Sequence, residues 1–288
     1  MTEPPRDRRS SGRRVAVRIL AALALVSFAF FFSLVTAEAL GVVDARPQGS
    51  PTDPPPSPEA RAGAMRPAEV VHVVGALAIL AIGASGLIAL IARPEDAGHS
   101  YQVLGAMGGL TLTLPIVGNP NNVGGQAGVI DPVPLAFVVP AVAAALLARP
   151  WRYRPKEWRP RFFVLAAVGS IPAAWYGVEQ ALIQRNTFPP TADPHHNAHW
   201  WAMAVFAFVV VFVIAAAALP GAQWRLGPRL AALAAVAFGI ASLVARSSAS
   251  AVWAGWAIAA VVWGLVAIWF TFHDVRGTVA QDRSRASP

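Results

Sequence analysis

The chain has 288 residues, of which 56% are hydrophobic and only 13% charged, about half the charged share of a soluble domain. It has no cysteine, which excludes disulfides, thiolate metal sites, iron–sulfur clusters and cysteine nucleophiles. A net charge of +8 would suit a nucleic-acid binder if the protein were soluble. With a mean hydropathy of +0.51 and apolar runs near the ~20 residues that cross a bilayer, the charge is expected to set membrane topology, and no nucleic-acid partner is expected.

Residues 1–14 are polar and basic and read as a disordered cytoplasmic tail. The first apolar run, 15–37, follows Arg13 and Arg14. Ala37-Glu38-Ala39 has the small-x-small pattern of a signal-peptide cleavage site, but the run exceeds the roughly 7–15 apolar residues of a signal peptide, so a retained helix or signal anchor is preferred. Residues 44–66, centred on Pro54-Pro55-Pro56, read as an extended extracytoplasmic linker. Seven further spans are expected at 68–92, 101–118, 133–149, 162–183, 194–219, 229–245 and 250–272, making 68–272 a seven-helix bundle and 273–288 a polar cytoplasmic tail. The fold class expected is all-α, a polytopic helical membrane bundle of about eight transmembrane helices. Gly105 and Gly109 are spaced for close helix contact in the third span.

The basic residues orient this bundle. With the N-terminus in the cytoplasm, the N-terminal arginines, Arg93, the stretch from Arg149 to Arg161, Arg225 and Arg229 all fall inside. Only Arg46, Arg61, Arg66, Arg185 and Arg246 fall outside. The asymmetry predicts both termini in the cytoplasm. Only Lys156 among the 23 basic residues is lysine, a bias towards arginine that fits a GC-rich bacterial genome and a multi-pass protein of the plasma membrane. The 149–161 loop, with Trp151, Tyr153 and Trp158 among its arginines, is expected to meet anionic lipid headgroups.

Three groups of polar residues could carry chemistry. Asp193-Pro194-His195-His196-Asn197-Ala198-His199 opens the sixth span with half of the chain's six histidines. Asp193 suits an N-cap and Pro194 the first helical position. At about 100° per residue, His195, His196, His199 and Met203 share an arc of about 100°. The electropositive helix start favours neutral imidazole, the form that ligates metal, and Met203 would add a soft ligand suited to copper. The alternative is a set of hydrated interfacial histidines beside an aromatic belt of Trp200 and Trp201. Glu69-Val70-Val71-His72 in the second span places a carboxylate and an imidazole about 60° apart on one face, and His72 is an intramembrane ionisable group. Glu179, near the outer end of the fifth span, lies about 60° from Tyr176, with which a hydrogen bond is expected. The turn-rich segment Gly118–Gln126 connects spans on the same face and reads as a plain loop or a lid.

The alternating topology brings Glu69, His72, Glu179, His195, His196 and His199 to one depth, near the outer ends of three helices. A shared site is the reading that unites them. His195, His196, His199, Glu179, Glu69 and His72 are candidate ligands for copper, zinc or iron, and His72 with His199 could bracket a haem b. Redox chemistry or metal handling would follow. A proton-coupled small-molecule transporter, with Glu179, Glu69 and His72 as protonatable gates, is the second class. A structural or interaction protein is the third. No phosphate-binding loop or dinucleotide fingerprint is visible.

Overall fold

The computed structural model describes residues 8–40, 67–117, 132–148, 159–186, 199–219, 226–248 and 250–286. Among them the elements are all helices: α1 Arg8–Ala39, α2 Pro67–Ala92, α3 Ala97–Val117, α4 Pro132–Leu147, α5 Pro160–Asn186, α6 His199–Ala216, α7 Leu226–Val244 and α8 Ala254–Ala286. Six of these (α1, α2, α5, α6, α7 and α8) are long and apolar enough to cross a membrane, and α4 contributes a shorter apolar segment, 134–147. The protein is an all-helical membrane bundle of about eight helices. The Pro-rich linker, the Gly118–Gln126 segment and most of the 149–161 loop lie outside the described residues.

Two ends differ from the pattern expected of the apolar runs. α1 begins at Arg8, so its basic residues extend the helix beyond the apolar run, as arginine's good helix propensity allows. α8 continues to Ala286, well past the end of its apolar stretch near His273. The start of α3 has a local cause that hydropathy does not reveal. The Asp96 carboxylate accepts the Gly98 backbone N–H at 2.8 Å, capping the helix four residues before the apolar run at 101.

α6 is the axis of the bundle. It is apolar all round, and α2, α3, α5 and α7 pack against it on every side, so Trp201, Met203, Val205, Val213 and Ile214 are all sealed from the surface. Between membrane helices lipid supplies no hydrophobic drive, and contact depends on how closely backbones can approach. A Cβ added at Gly109 of α3 would stand 2.6 Å from the Val209 nitrogen, and one at Gly105 would stand 3.0 Å from the Phe212 carbonyl oxygen. The predicted glycine contact therefore exists, and α6 is its partner. On the far side of the bundle α7 and α8 form a close pair, while α5 packs mainly on α6 and only weakly on α8.

Four of the arginines mark one end of the bundle. Arg18 donates to the Ile91 carbonyl at 3.1 Å, Arg14 pairs with Glu95 at 3.5 Å, and the Arg229 guanidinium lies 4.3 Å from the centre of the Phe272 ring. Arg161 lies 5.8 Å from the Phe270 ring at the same end. These contacts join the start of α1 to the end of α2, and the starts of α5 and α7 to α8 beyond the middle of its length, as alternating spans require.

Replacing Gly109 with valine is expected to cost about 1–3 kcal/mol, because the atoms in the way belong to the α6 backbone and cannot swing aside. Thermal unfolding in detergent measures the loss. Gly12→Ala, with open space around the new methyl, leaves the transition unchanged.

Candidate functional site

At the end of the bundle opposite Arg18, Arg161 and Arg229, α2, α5, α6 and the connection between α7 and α8 enclose a polar cluster. His72, on the second turn of α2, lies face to face with His199 at the start of α6. Their ring centroids are 4.2 Å apart and their planes 22° from parallel. Each is 1% exposed. The approach of the two helices depends on the turn below, where the Met203 sulfur sits 2.7 Å from the place a Cβ on Gly75 would occupy. His72 and Gly75 are three residues apart, and His199 and Met203 four, so each pair shares one face of its helix.

Ser250 completes the cluster from the α7–α8 connection. Its hydroxyl lies 2.7 Å from His199 Nε2, and its carbonyl accepts a hydrogen bond from the Tyr176 hydroxyl at 2.8 Å. Ser250 is fully buried and held from both sides, by α6 at its side chain and by α5 at its backbone. The edge of the Trp200 indole closes on His199 at 4.6 Å. Beside this cluster, Gln184 Oε1 accepts the Trp201 backbone N–H at 3.1 Å, satisfying one of the donors that every helix start leaves open. The Trp201 indole N–H donates to Thr113 at 2.8 Å, tying α6 to the end of α3.

Of the six candidate ligands, then, the structure brings His72 and His199 together. Glu69 lies in the first turn of α2, with its side chain outside the described residues, as are His195 and His196 altogether. Glu179 is exposed on α5, and the hydrogen bond expected between it and Tyr176 is not made. Tyr176 turns inward to Ser250 because about 60° of helix rotation suffices to separate a buried position from an exposed one. The hydrated placement considered for His199 is also overturned. Trp200 and Trp201 are 8% and 1% exposed, so these residues belong to the core rather than to an interfacial belt. Sequence reasoning missed Ser250 and Gln184, because neither stands in a motif. Their shared signal is a polar side chain near the same ends of helices that hold His72 and His199.

A haem can be tested against this geometry. Two axial imidazoles stand edge-on to the iron, each about 2 Å from it. Their ring centroids are then on the order of 6 Å apart across the porphyrin. His72 and His199 are in face contact, so no porphyrin fits between them. A single ion meets a related difficulty. Imidazole lone pairs lie in the ring plane, and two nearly parallel stacked rings aim theirs side by side rather than at one centre. No group of three or more His, Asp or Glu residues among those described is arranged to hold a metal.

No known family's pattern matches this chain, and no curated protein or solved structure is significantly similar to it. The reading of the site therefore rests on its own geometry.

Ser250→Ala removes the partner of His199 Nε2 but keeps the carbonyl that holds Tyr176. The expected loss of stability is about 0.5–1.5 kcal/mol, read by unfolding in detergent.

Proposed function

We propose that the His72–His199 pair is a proton-holding site in an integral membrane protein, and that the protein couples protonation to the movement of a small molecule. The observation that carries this reading is the buried stack of two imidazoles at 4.2 Å. Ionisable groups placed inside a membrane bundle mark proton and substrate pathways more often than they serve packing. Two positive charges about 4 Å apart repel by about 4 kcal/mol even at an effective dielectric of 20, so the pair holds at most one proton.

The hydrogen bonds around the pair support a route by which such a proton is felt elsewhere. Neutral His199 can accept from the Ser250 hydroxyl at Nε2. Protonated His199 must donate there, and the hydroxyl must turn to accept. Ser250 also carries the carbonyl that fixes Tyr176, so a change of charge at His199 acts on a residue that orients α5. In the topology expected from the arginine asymmetry the site faces the outside of a plasma membrane, and the 149–161 loop meets anionic headgroups on the inner side.

Potentiometric titration of the purified protein tests the proposal. Between about pH 5 and pH 9 the wild type is expected to take up one proton more than the His72→Gln/His199→Gln variant. A difference of two protons, or none, would sink the shared-proton site.

A soft metal site is the second reading, favoured by the placement of Met203 one turn below His199 and against Gly75, on the side of α2 that carries His72. Copper bound by two imidazoles and a thioether requires the stacked rings to pivot apart. Metal analysis of protein purified without chelator decides between the two. Stoichiometric copper that disappears in His199→Ala supports the metal, and metal-free protein excludes it.

A further inference from the structure

The weak contact between α5 and α8 leaves a cavity of about 950 Å³, near the upper end of the range for small-molecule sites. α5 lines it from Val168 to Ile183, α6 supplies its back wall through Phe206 and Val210, and α8 supplies Trp256 and Trp263. Gly169 allows the Trp263 indole to press against α5, where its N–H donates to the Leu165 carbonyl at 2.9 Å and closes the deep end. Exposed Ile171, Trp175 and Trp253 form the rim on the flank of the bundle.

The polar lining of this apolar space is concentrated at one end. Among the described residues Glu179 is the only charged one that lines the cavity, and it forms no ion pair with any of them. Gln180, beside it and 4% exposed, has a buried side-chain oxygen with no hydrogen-bond partner among the described residues. A lone carboxylate asks for a cation, and an unfilled carbonyl oxygen asks for a donor. Trp175, Trp253, Trp256 and Trp263 offer indole faces, which attract cations and pack against flat apolar groups. Tyr176 lines the same space while holding Ser250.

We infer that this cavity binds an amphipathic organic ammonium, with an apolar or aromatic body between α5 and α8 and N–H donors at Glu179 and Gln180. The inference rests on the proposed function in that it names the substrate class. Binding itself requires neither His72 nor His199.

The test uses the full chain in phosphatidylcholine nanodiscs with dansylcadaverine, a primary alkylammonium whose dansyl group accepts energy from tryptophan. Saturable energy transfer is expected. Glu179→Gln, which alters an exposed side chain and leaves the packing intact, weakens binding at least about ten-fold, the scale of a lost charge-assisted contact. N-acetyl dansylcadaverine, which carries the same dansyl body and chain but an uncharged amide, binds weakly to both proteins. Gln180→Leu reduces the preference for the primary ammonium over its trimethylammonium analogue, and the N–H contact to Glu179 keeps the remainder. Equal affinity of wild type and Glu179→Gln for the probe overturns the inference, as does equal affinity of the charged and acetylated probes. Displacement by phosphatidylethanolamine built into the nanodisc, without displacement by phenethylammonium added to the buffer, also overturns it and assigns the cavity to a lipid headgroup. Cation binding that survives in His72→Gln/His199→Gln while the proton count fails would leave this site standing and remove the coupling alone.

Discussion

The bundle depends on one constraint, the enclosure of α6. A membrane helix surrounded by protein on every side has no lipid to fill imperfect contacts, so each neighbour must fit it closely. α3 meets its backbone through Gly105 and Gly109, and on α2 Gly75 makes room for the Met203 side chain. The same closeness decides what can happen at the helix start. His199 enters the bundle already enclosed, and its ring finds His72 on one side and Ser250 on another. The site is thus a product of packing around a buried axis, more than of any local motif.

Several polar groups inside this end of the bundle each link two helices. Thr113 and Trp201 join α3 to α6, Gln184 and the Trp201 backbone join α5 to α6, and Ser250 joins α5, α6 and the α7–α8 connection. Individually such bonds average well under 1 kcal/mol in membrane proteins. Their effect is directional, because they fix which faces of the helices meet. Ser250 differs from the others in that its side chain and its carbonyl answer to different helices. That makes it the point where a change at His199 reaches α5.

The helical architecture was legible in the apolar runs, and so was the shared depth of His72 and His199, because alternating spans put the second and sixth helix starts at one end; that the two rings touch was not. What was not legible has a physical cause. In a membrane bundle the lipid-facing and protein-facing sides of a helix are both apolar, so hydrophobic periodicity does not say which way Glu179 or Tyr176 points. Trp200 and Trp201 resembled an interfacial belt by position, and only the packing of α6 makes them core. Asp96 could be read as a cap only with the start of α3 known, and Ser250 belongs to a connection with no pattern of its own. The cavity between α5 and α8 arises from a helix pair that fails to close, which no single stretch of sequence encodes.

That gap is rimmed in part by Ile171 and Trp175, exposed side chains on the flank of α5. A molecule that enters there has first dissolved in the bilayer. Its concentration at the rim is then set by its partitioning between water and lipid, to which each methylene contributes about 0.8 kcal/mol whatever its fit inside. Selectivity measured against the aqueous phase would therefore mix two quantities, the affinity of the cavity and the solubility of its guest in fat. A series of ammonium compounds of rising chain length would be taken up in the order of their lipophilicity before the tryptophans had any part in the choice.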